Sequence, residues 1–547
     1  MKGAFIMKKR LLALVLAMLM TVSALTACSG AAEEGSGTAS TAAKADTGAD
    51  TDAQTDKAKE EVTKSGEEED IAEITISYWS QATVPDAQNL DMVEDAINAI
   101  TEEKINTTVH LNIMDAGTYI PNGAMANGVA NGEDYDLVLT AAALSGHYSV
   151  MSSNGMLMPL NDLLEEYAPE LLEIVPKDFY GATTKNGQIL AIPSYCNKVK
   201  NLYWACRDEV LEGIGLKIED IKTVEDIDAA LKKIHEVFPD MIPLGGASST
   251  LNVKFPGYAN AGLHDMSTYD TLGESTAVAA AVYYDDTTLT AVCRYETDDF
   301  KADMELVKKW YDLGYVDKDV VTDKSLSNAL REKANVASCF FSLQEDLADS
   351  YCENTSVAKL ASPYIGTGVL QQFTWAIPVS CDEPEAAAKF MNLLYTDANI
   401  VNLINYGIEG IHYEFKEDGT IGFLEGMTAE TDGYFMGGNS KLIGNGFLAY
   451  IWEGANPEAN KLGKAEMDHA KYSPLLGFSL DTSDPAIEDV YTMIAPMANQ
   501  EYGPALFCGS AKDGYYEEFI QKMYDAGLQQ YLDGVNAQIQ AWLAENK

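Results

Sequence analysis

Basic residues are scarce. Lysine and arginine number 37 against 84 aspartates and glutamates, a net charge of −47 over 547 residues. Without a basic stripe to displace counterions, nucleic acid is excluded as a partner. Direct attraction to anionic lipid is excluded on the same ground, and the surplus acid reads mainly as a solubility feature. Histidines are few: six in all, with no i,i+4 pair and no HExxH, so no metal site is expected. There is no CxxC among the eight cysteines, hence no zinc framework. Seven of them lie beyond Cys28, and most of these read as small buried hydrophobes, though export would permit disulfides. GxSxG and Walker loops are missing. Residues 481–486 (Asp-Thr-Ser-Asp-Pro-Ala) superficially suggest a calcium loop. Ala486 and Thr492 stand where such a loop needs its glycine and its last glutamate, which excludes it. No cofactor is expected.

Also lacking is any apolar run of the ~20 residues that a membrane-crossing helix needs. Residues 11–25 come nearest, are shorter, and follow the positive patch Lys8, Lys9 and Arg10. That is the layout of a signal-peptide core. The stretch Leu25-Thr26-Ala27-Cys28 resembles the bacterial lipobox, in which the chain is cut before a cysteine that then carries lipid. The competing reading is an ordinary secretory peptide with a chance cysteine. Removing residues 1–27 takes away four basic residues and no acid, moving the net charge from −47 to −51. No aromatic residue occurs between Cys28 and Tyr78, and residues 28–72 are small, polar and acidic. Such a stretch cannot bury enough apolar surface to offset its ordering entropy, so it is expected to be a disordered tether.

What remains is ample for two or three domains. Residues 74–78 alternate as a first strand, residues 90–104 carry helical spacing, and residues 108–113 and 136–140 supply further strands. This alternation indicates a parallel α/β sheet, with ligand expected at the carboxyl ends of the strands. Those ends carry Trp79 and Gln81 after the first strand and Tyr148 beyond the third. Thr223 to Asp226 is a capping-box pattern opening a helix to about Val237.

Three segments in order resemble the middle of the family 1 extracellular solute-binding proteins, the substrate-capturing subunits of ABC importers. They are residues 186–193 (Asn-Gly-Gln-Ile-Leu-Ala-Ile-Pro), 202–208 (Leu-Tyr-Trp-Ala-Cys-Arg-Asp) and 223–231 (Thr-Val-Glu-Asp-Ile-Asp-Ala-Ala-Leu). Cys206 and Arg207 depart from the Asn and Lys usual in that family. Residues 384–396 continue the likeness. Residues 402–413 (Asn-Leu-Ile-Asn-Tyr-Gly-Ile-Glu-Gly-Ile-His-Tyr) resemble a stretch of a Gram-positive lipoprotein subgroup that carries a C-terminal module of unassigned role.

The resemblance implies an α/β fold of the periplasmic-binding-protein-like type II, two α/β lobes joined by a hinge. It divides the chain into lobe 1 (73–195 plus about 371–405), lobe 2 (196–370 plus about 406–480) and a C-terminal module (481–547) packed on the lobes. Crossings between lobes are expected near 193–205, 365–375 and 400–410. The implied function is capture of a carbohydrate, an oligosaccharide above all, for delivery to the transmembrane subunits of an ABC permease. The protein would be a monomer held at the outer face of a Gram-positive-type cell membrane by lipid on Cys28. Sugar rings have apolar faces and polar edges, so aromatic plates with hydrogen-bonding neighbours suit them. The candidate ligand contacts are Trp79, Gln81, Tyr148, Tyr195, Trp204, Trp375 and Glu409. Each of these aromatics is equally at home in a core, and Glu409 equally in a structural loop between Gly407 and Gly410. A secreted glycosidase, with two carboxylates facing one bond, and a peptide or amino-acid receptor are the competing functions.

Overall fold

The computed structural model describes residues 70–119, 124–140, 148–199, 201–248, 254–255, 269–270, 272, 279–321, 329–343, 348, 352–361 and 364–546. The expected signal peptide, Cys28 and most of the expected tether lie outside the described residues.

The chain opens with β1 (Ala72–Ser80), α1 (Ala87–Ile105), β2 (Thr107–Asp115), β3 (Leu137–Leu139) and β4 (Ile192–Pro193). Strand β1 runs parallel to both β2 and β3. Its central position explains why it is buried on both faces from Ile76 onward, whereas the edge strand β2 alternates Val109, Leu111 and Ile113 inward with exposed or half-exposed partners. Helix α1 is capped by Asp86, which accepts from the Asn89 amide, and ends on the left-handed Asn106. Its Val93, Ile97 and Thr101 recur every fourth residue and face the core.

A second sheet follows, built from β5 (Asn201–Arg207), β6 (Ile242–Gly245), β7 (Val336–Leu343) and β8 (Thr355–Ala361) in the order β8-β5-β7-β6. Helix α2 (Val224–Val237) begins with the anticipated reciprocal cap: Thr223 Oγ1 accepts from the Asp226 amide, and Asp226 Oδ2 from that of Thr223. Helix α3 (Asp298–Asp312) places Val307 and Trp310 in the same core. The chain then returns to the first sheet as β9 (Thr374–Ala376), which pairs antiparallel with β3 and β4. The first sheet is therefore mixed rather than parallel throughout, in the order β2-β1-β3-β9-β4.

Helices α4 (Pro384–Thr396) and α5 (Ala398–Tyr406) pack on that first core. The crossing expected near 400–410 does not occur there. Residues 407–467 do not join the second core: Tyr434, Met436, Leu442, Ile443 and Met467 enter the first, and Tyr413, Ile421 and Ala449 form a small cluster with Val401 and Tyr406 of α5. Backbone bonds from Tyr195 to Gly444 and from Gly446 to Tyr195, both 2.8 Å, fix this segment. Gly444 is required: at φ 49° it lies so close to Leu394 that a Cβ would sit 2.0 Å from the carbonyl oxygen. Helix α6 (Ala459–Asp468) ends the segment. The chain then recrosses, and the helices α7 (Tyr515–Asp525) and α8 (Leu528–Asn546) complete the second core. There Phe519, Met523, Tyr531, Val535 and Ile539 meet Tyr295, Phe300 and Val307. The C-terminal residues thus pack on one core, the second.

Candidate functional site

The two largest hydrophobic cores, with three chain crossings between them, define the site. The first core draws on residues 74–199, 365–443 and 467, the second on residues 202–358 and 475–539. The crossings therefore lie near 199–202, 358–365 and 467–475. The second and third bond to each other, with Ile365 N–H donating to Lys471 O at 2.7 Å and Ser473 N–H to Ile365 O at 2.9 Å.

Polar side chains tie the first crossing to α6. Glu466 accepts from Asn197 Nδ2 at 2.8 Å and from Asn201 Nδ2 at 2.6 Å, and Lys359 Nζ lies 3.4 Å from it. The Lys198 amide donates to Met467 Sδ at 3.2 Å. The Lys198 side chain, only 5 % exposed, sets its ammonium 5.7 Å from the centre of the Phe373 ring. Phe373 precedes β9 and is 5.8 Å from Trp79 at the end of β1, so aromatic faces and a cation converge where the two cores meet.

Further aromatic groups line the same boundary. Tyr195 sits edge-on between Phe179 (5.3 Å) and Phe447 (5.1 Å), with Lys464 Nζ 5.4 Å from its ring centre. Tyr284 and Tyr364 stack at 4.0 Å, and Lys471 Nζ lies 5.6 Å from the Tyr364 ring. Burial pushes the Tyr284 hydroxyl far above the usual tyrosine range, reinforced by Asp270 and Tyr364. Asp270 also joins the third crossing, accepting from the Ser473 hydroxyl.

The sequence-based candidates fall into three groups. Trp79, Tyr195 and Gln81 lie at the boundary: Trp79 against Tyr119 (4.7 Å) and Phe373, Gln81 just after β1 with its amide on Met436 O. Trp204, Trp375 and Tyr148 are occupied in the cores. Trp204 is flanked by Phe340 and Ala358 across the second sheet, Trp375 Nε1 donates to Leu442 O at 2.9 Å, and Tyr148 donates to Thr183 O at 2.7 Å. Neither tryptophan has any exposed surface, because both strands are covered on both faces. Glu409 stands exposed on the turn after α5. In that turn His412 is buried: its Nδ1 accepts from the Ile408 amide, and its Nε2 is left to donate to Asn89 Oδ1, both at 2.9 Å. Burial holds its pKa below the ordinary histidine value. Lys198, Asn201, Phe373 and Glu466 were not anticipated. Lys198 and Asn201 have one signal, the mostly polar run 197–201 set between two apolar strands, and Phe373 and Glu466 have none.

Among the described residues no cluster of three or more His, Cys, Asp or Glu could hold a metal ion, and no helix is long and apolar enough to cross a membrane. The cysteines from Cys196 to Cys508 are all free.

Residues 91–400 match the family model described as bacterial extracellular solute-binding protein, and residues 474–544 match a domain of unknown function. A carbohydrate ABC transporter substrate-binding protein of Streptococcus pneumoniae is 25 % identical over 478 residues, covering 84 % of this chain and 89 % of the relative. The crystal structure of an N-glycan transport solute-binding protein from Streptococcus pneumoniae resembles this fold with a TM-score of 0.71 at 23 % identity, over 87 % of this chain and 100 % of that one. An HMO-binding, ABC-transporter-associated solute-binding protein from Bifidobacterium longum infantis does so with a TM-score of 0.55 at 14 % identity, over 86 % and 99 %.

Proposed function

The chain belongs to the bacterial extracellular solute-binding proteins, matched across residues 91–400, and on that premise we propose that it captures a carbohydrate, an oligosaccharide above all, for an ABC importer. The observation that carries this reading is the pair of separate cores joined by three adjacent crossings, with aromatic rings and hydrogen-bonding side chains gathered at the junction. Phe373, backed by the buried Trp79, and Tyr195 offer aromatic rings, and Gln81 and Asn201 offer amides, which together suit the apolar faces and polar edges of sugars. The named function of the Streptococcus pneumoniae relative agrees.

The mechanism is a two-state equilibrium about the crossings. Ligand touching both lobes favours the closed form, and that form docks on the permease. To carry the protein from 1 % to 99 % closed, the ligand must bind the closed form about 10⁴-fold more tightly than the open one. No bond is made or broken. Lipid on Cys28, followed by the acidic segment to about residue 72, keeps a monomeric receptor at the outer face of the membrane and within reach of its permease. The C-terminal residues act as part of the second lobe, closing its core.

The test is a thermal-shift screen of the purified chain against oligosaccharides and peptides. A saccharide at 100 times its Kd stabilises the protein by about 2.7 kcal/mol and raises the melting temperature measurably. If peptides alone produce the shift, the carbohydrate reading fails.

A further inference from the structure

Lys198 is a lysine where lysines are seldom found. It is 95 % buried at the first crossing, and lysine is almost never fully buried unless paired. Its ammonium has the Phe373 ring 5.7 Å away, but a cation–π contact offsets less than the cost of removing an ammonium from water. No carboxylate among the described residues lies within ion-pair distance of it. The acid that ties this crossing to α6, Glu466, is already shared by Asn197, Asn201 and Lys359. Beside Lys198, Asn201 leaves its Oδ1 buried without a hydrogen bond, since only its Nδ2 is engaged.

A neutral hydroxyl could accept one ammonium proton, yet it would leave the positive charge uncompensated in a site with little water. A carboxylate compensates it and accepts a charge-assisted bond. We infer that Lys198 receives the carboxylate of an acidic saccharide, a uronic or sialic acid, with Asn201 Oδ1 accepting from a neighbouring ring hydroxyl and Phe373 covering the apolar face. This inference rests on the carbohydrate reading and narrows its substrate class. It makes the buried ammonium at the first crossing, in a chain of net charge −47, the element that admits an anion.

The test pairs probes that differ only in charge. Trigalacturonate is compared with its fully methyl-esterified form, and 3′-sialyllactose with its methyl ester, by calorimetric titration into the purified full chain. At least one acid is expected to bind at least tenfold more tightly than its neutral twin. Lys198→Met, which keeps the length of the stem and removes the charge, is expected to lose that tenfold preference while melting, without ligand, no lower than the parent. If the neutral twins bind as tightly as the acids, if only neutral saccharides bind, or if Lys198→Met keeps the preference, the inference is overturned. A clear fall in the ligand-free melting temperature of Lys198→Met also overturns it, because it would make the lysine a structural group. The twin comparison uses the unmutated chain and decides the question even if the variant does not fold. If peptides bind and no saccharide of either charge does, the carbohydrate reading itself falls, a different result from neutral saccharides binding alone.

Discussion

Replacing Glu466 by Gln should weaken the junction of the cores far more than its loss of one charge suggests. The carboxylate presents two acceptor oxygens, one to Asn197 Nδ2 and both Asn201 Nδ2 and Lys359 Nζ to the other. Glutamine keeps one oxygen and turns an NH₂ group toward an amide donor that then has no acceptor. The Glu466 side chain is 10 % exposed, so the abandoned donor is poorly hydrated and costs about 1–3 kcal/mol. Weakening the retained bond from charged to neutral adds about 1 kcal/mol. The pair with Lys359, whose side chain is 35 % exposed, adds at most about 1 kcal/mol after screening. A loss of about 2–5 kcal/mol is expected. The assay is urea unfolding followed by tryptophan fluorescence and, in parallel, by amide exchange at residues 197–201, because two cores need not unfold as one unit. Glu458→Gln is the control. That residue also pairs with a lysine, at 2.6 Å, but both side chains are well exposed, so no measurable change is expected. If Glu466→Gln behaves like the control, with unchanged midpoint and exchange, the crossing is not held by this carboxylate and the reasoning is refuted.

Acid should act through His412. Its folded pKa lies below the ordinary value of about 6.5, so its contribution to stability is complete above that value and is lost as pH falls from there toward the folded pKa. Melting temperatures at pH 7.5 and 5.0 should therefore converge in His412→Asn relative to the parent; an equal acid-induced drop in both would argue against the buried neutral imidazole. Cys28→Ala should release the protein into the medium and impair uptake while leaving the ligand affinity of the purified protein unchanged. Normal retention on the cells by that variant would contradict the lipid anchor.

The elements legible in the sequence were those specified locally. Strand β1 announces itself by alternation, and α2 by a cap that four consecutive residues complete within themselves. The third crossing was not legible, because residues 407–467 are mostly turns and short loops whose allegiance is decided by long-range burial of Tyr434, Met436 and Leu442 against a sheet formed far upstream. The aromatic candidates divide by the same logic. An apolar run such as β5 is covered on both faces, and composition cannot say whether a tryptophan within it looks toward a junction or a core. Trp79 is fully buried too, but the end of β1 brings it to Phe373. Lys198 escaped notice because a lysine in a polar run reads as solvent-facing, and only the tertiary arrangement buries it.

The three crossings also bear on how the chain comes to be folded. Neither core is contiguous: the first begins at Ile74 and takes its last member, Met467, near the end, and the second is finished only by Ile539. A chain emerging from its amino end therefore cannot seal one body before starting the next, and apolar strands wait uncovered for distant partners. Such topologies fold slowly and are prone to aggregate meanwhile; the heavy negative charge keeps waiting chains apart. Once assembled, the same threading protects the molecule. A protease that severs any single crossing leaves two others bridging the halves, and the nicked protein holds together.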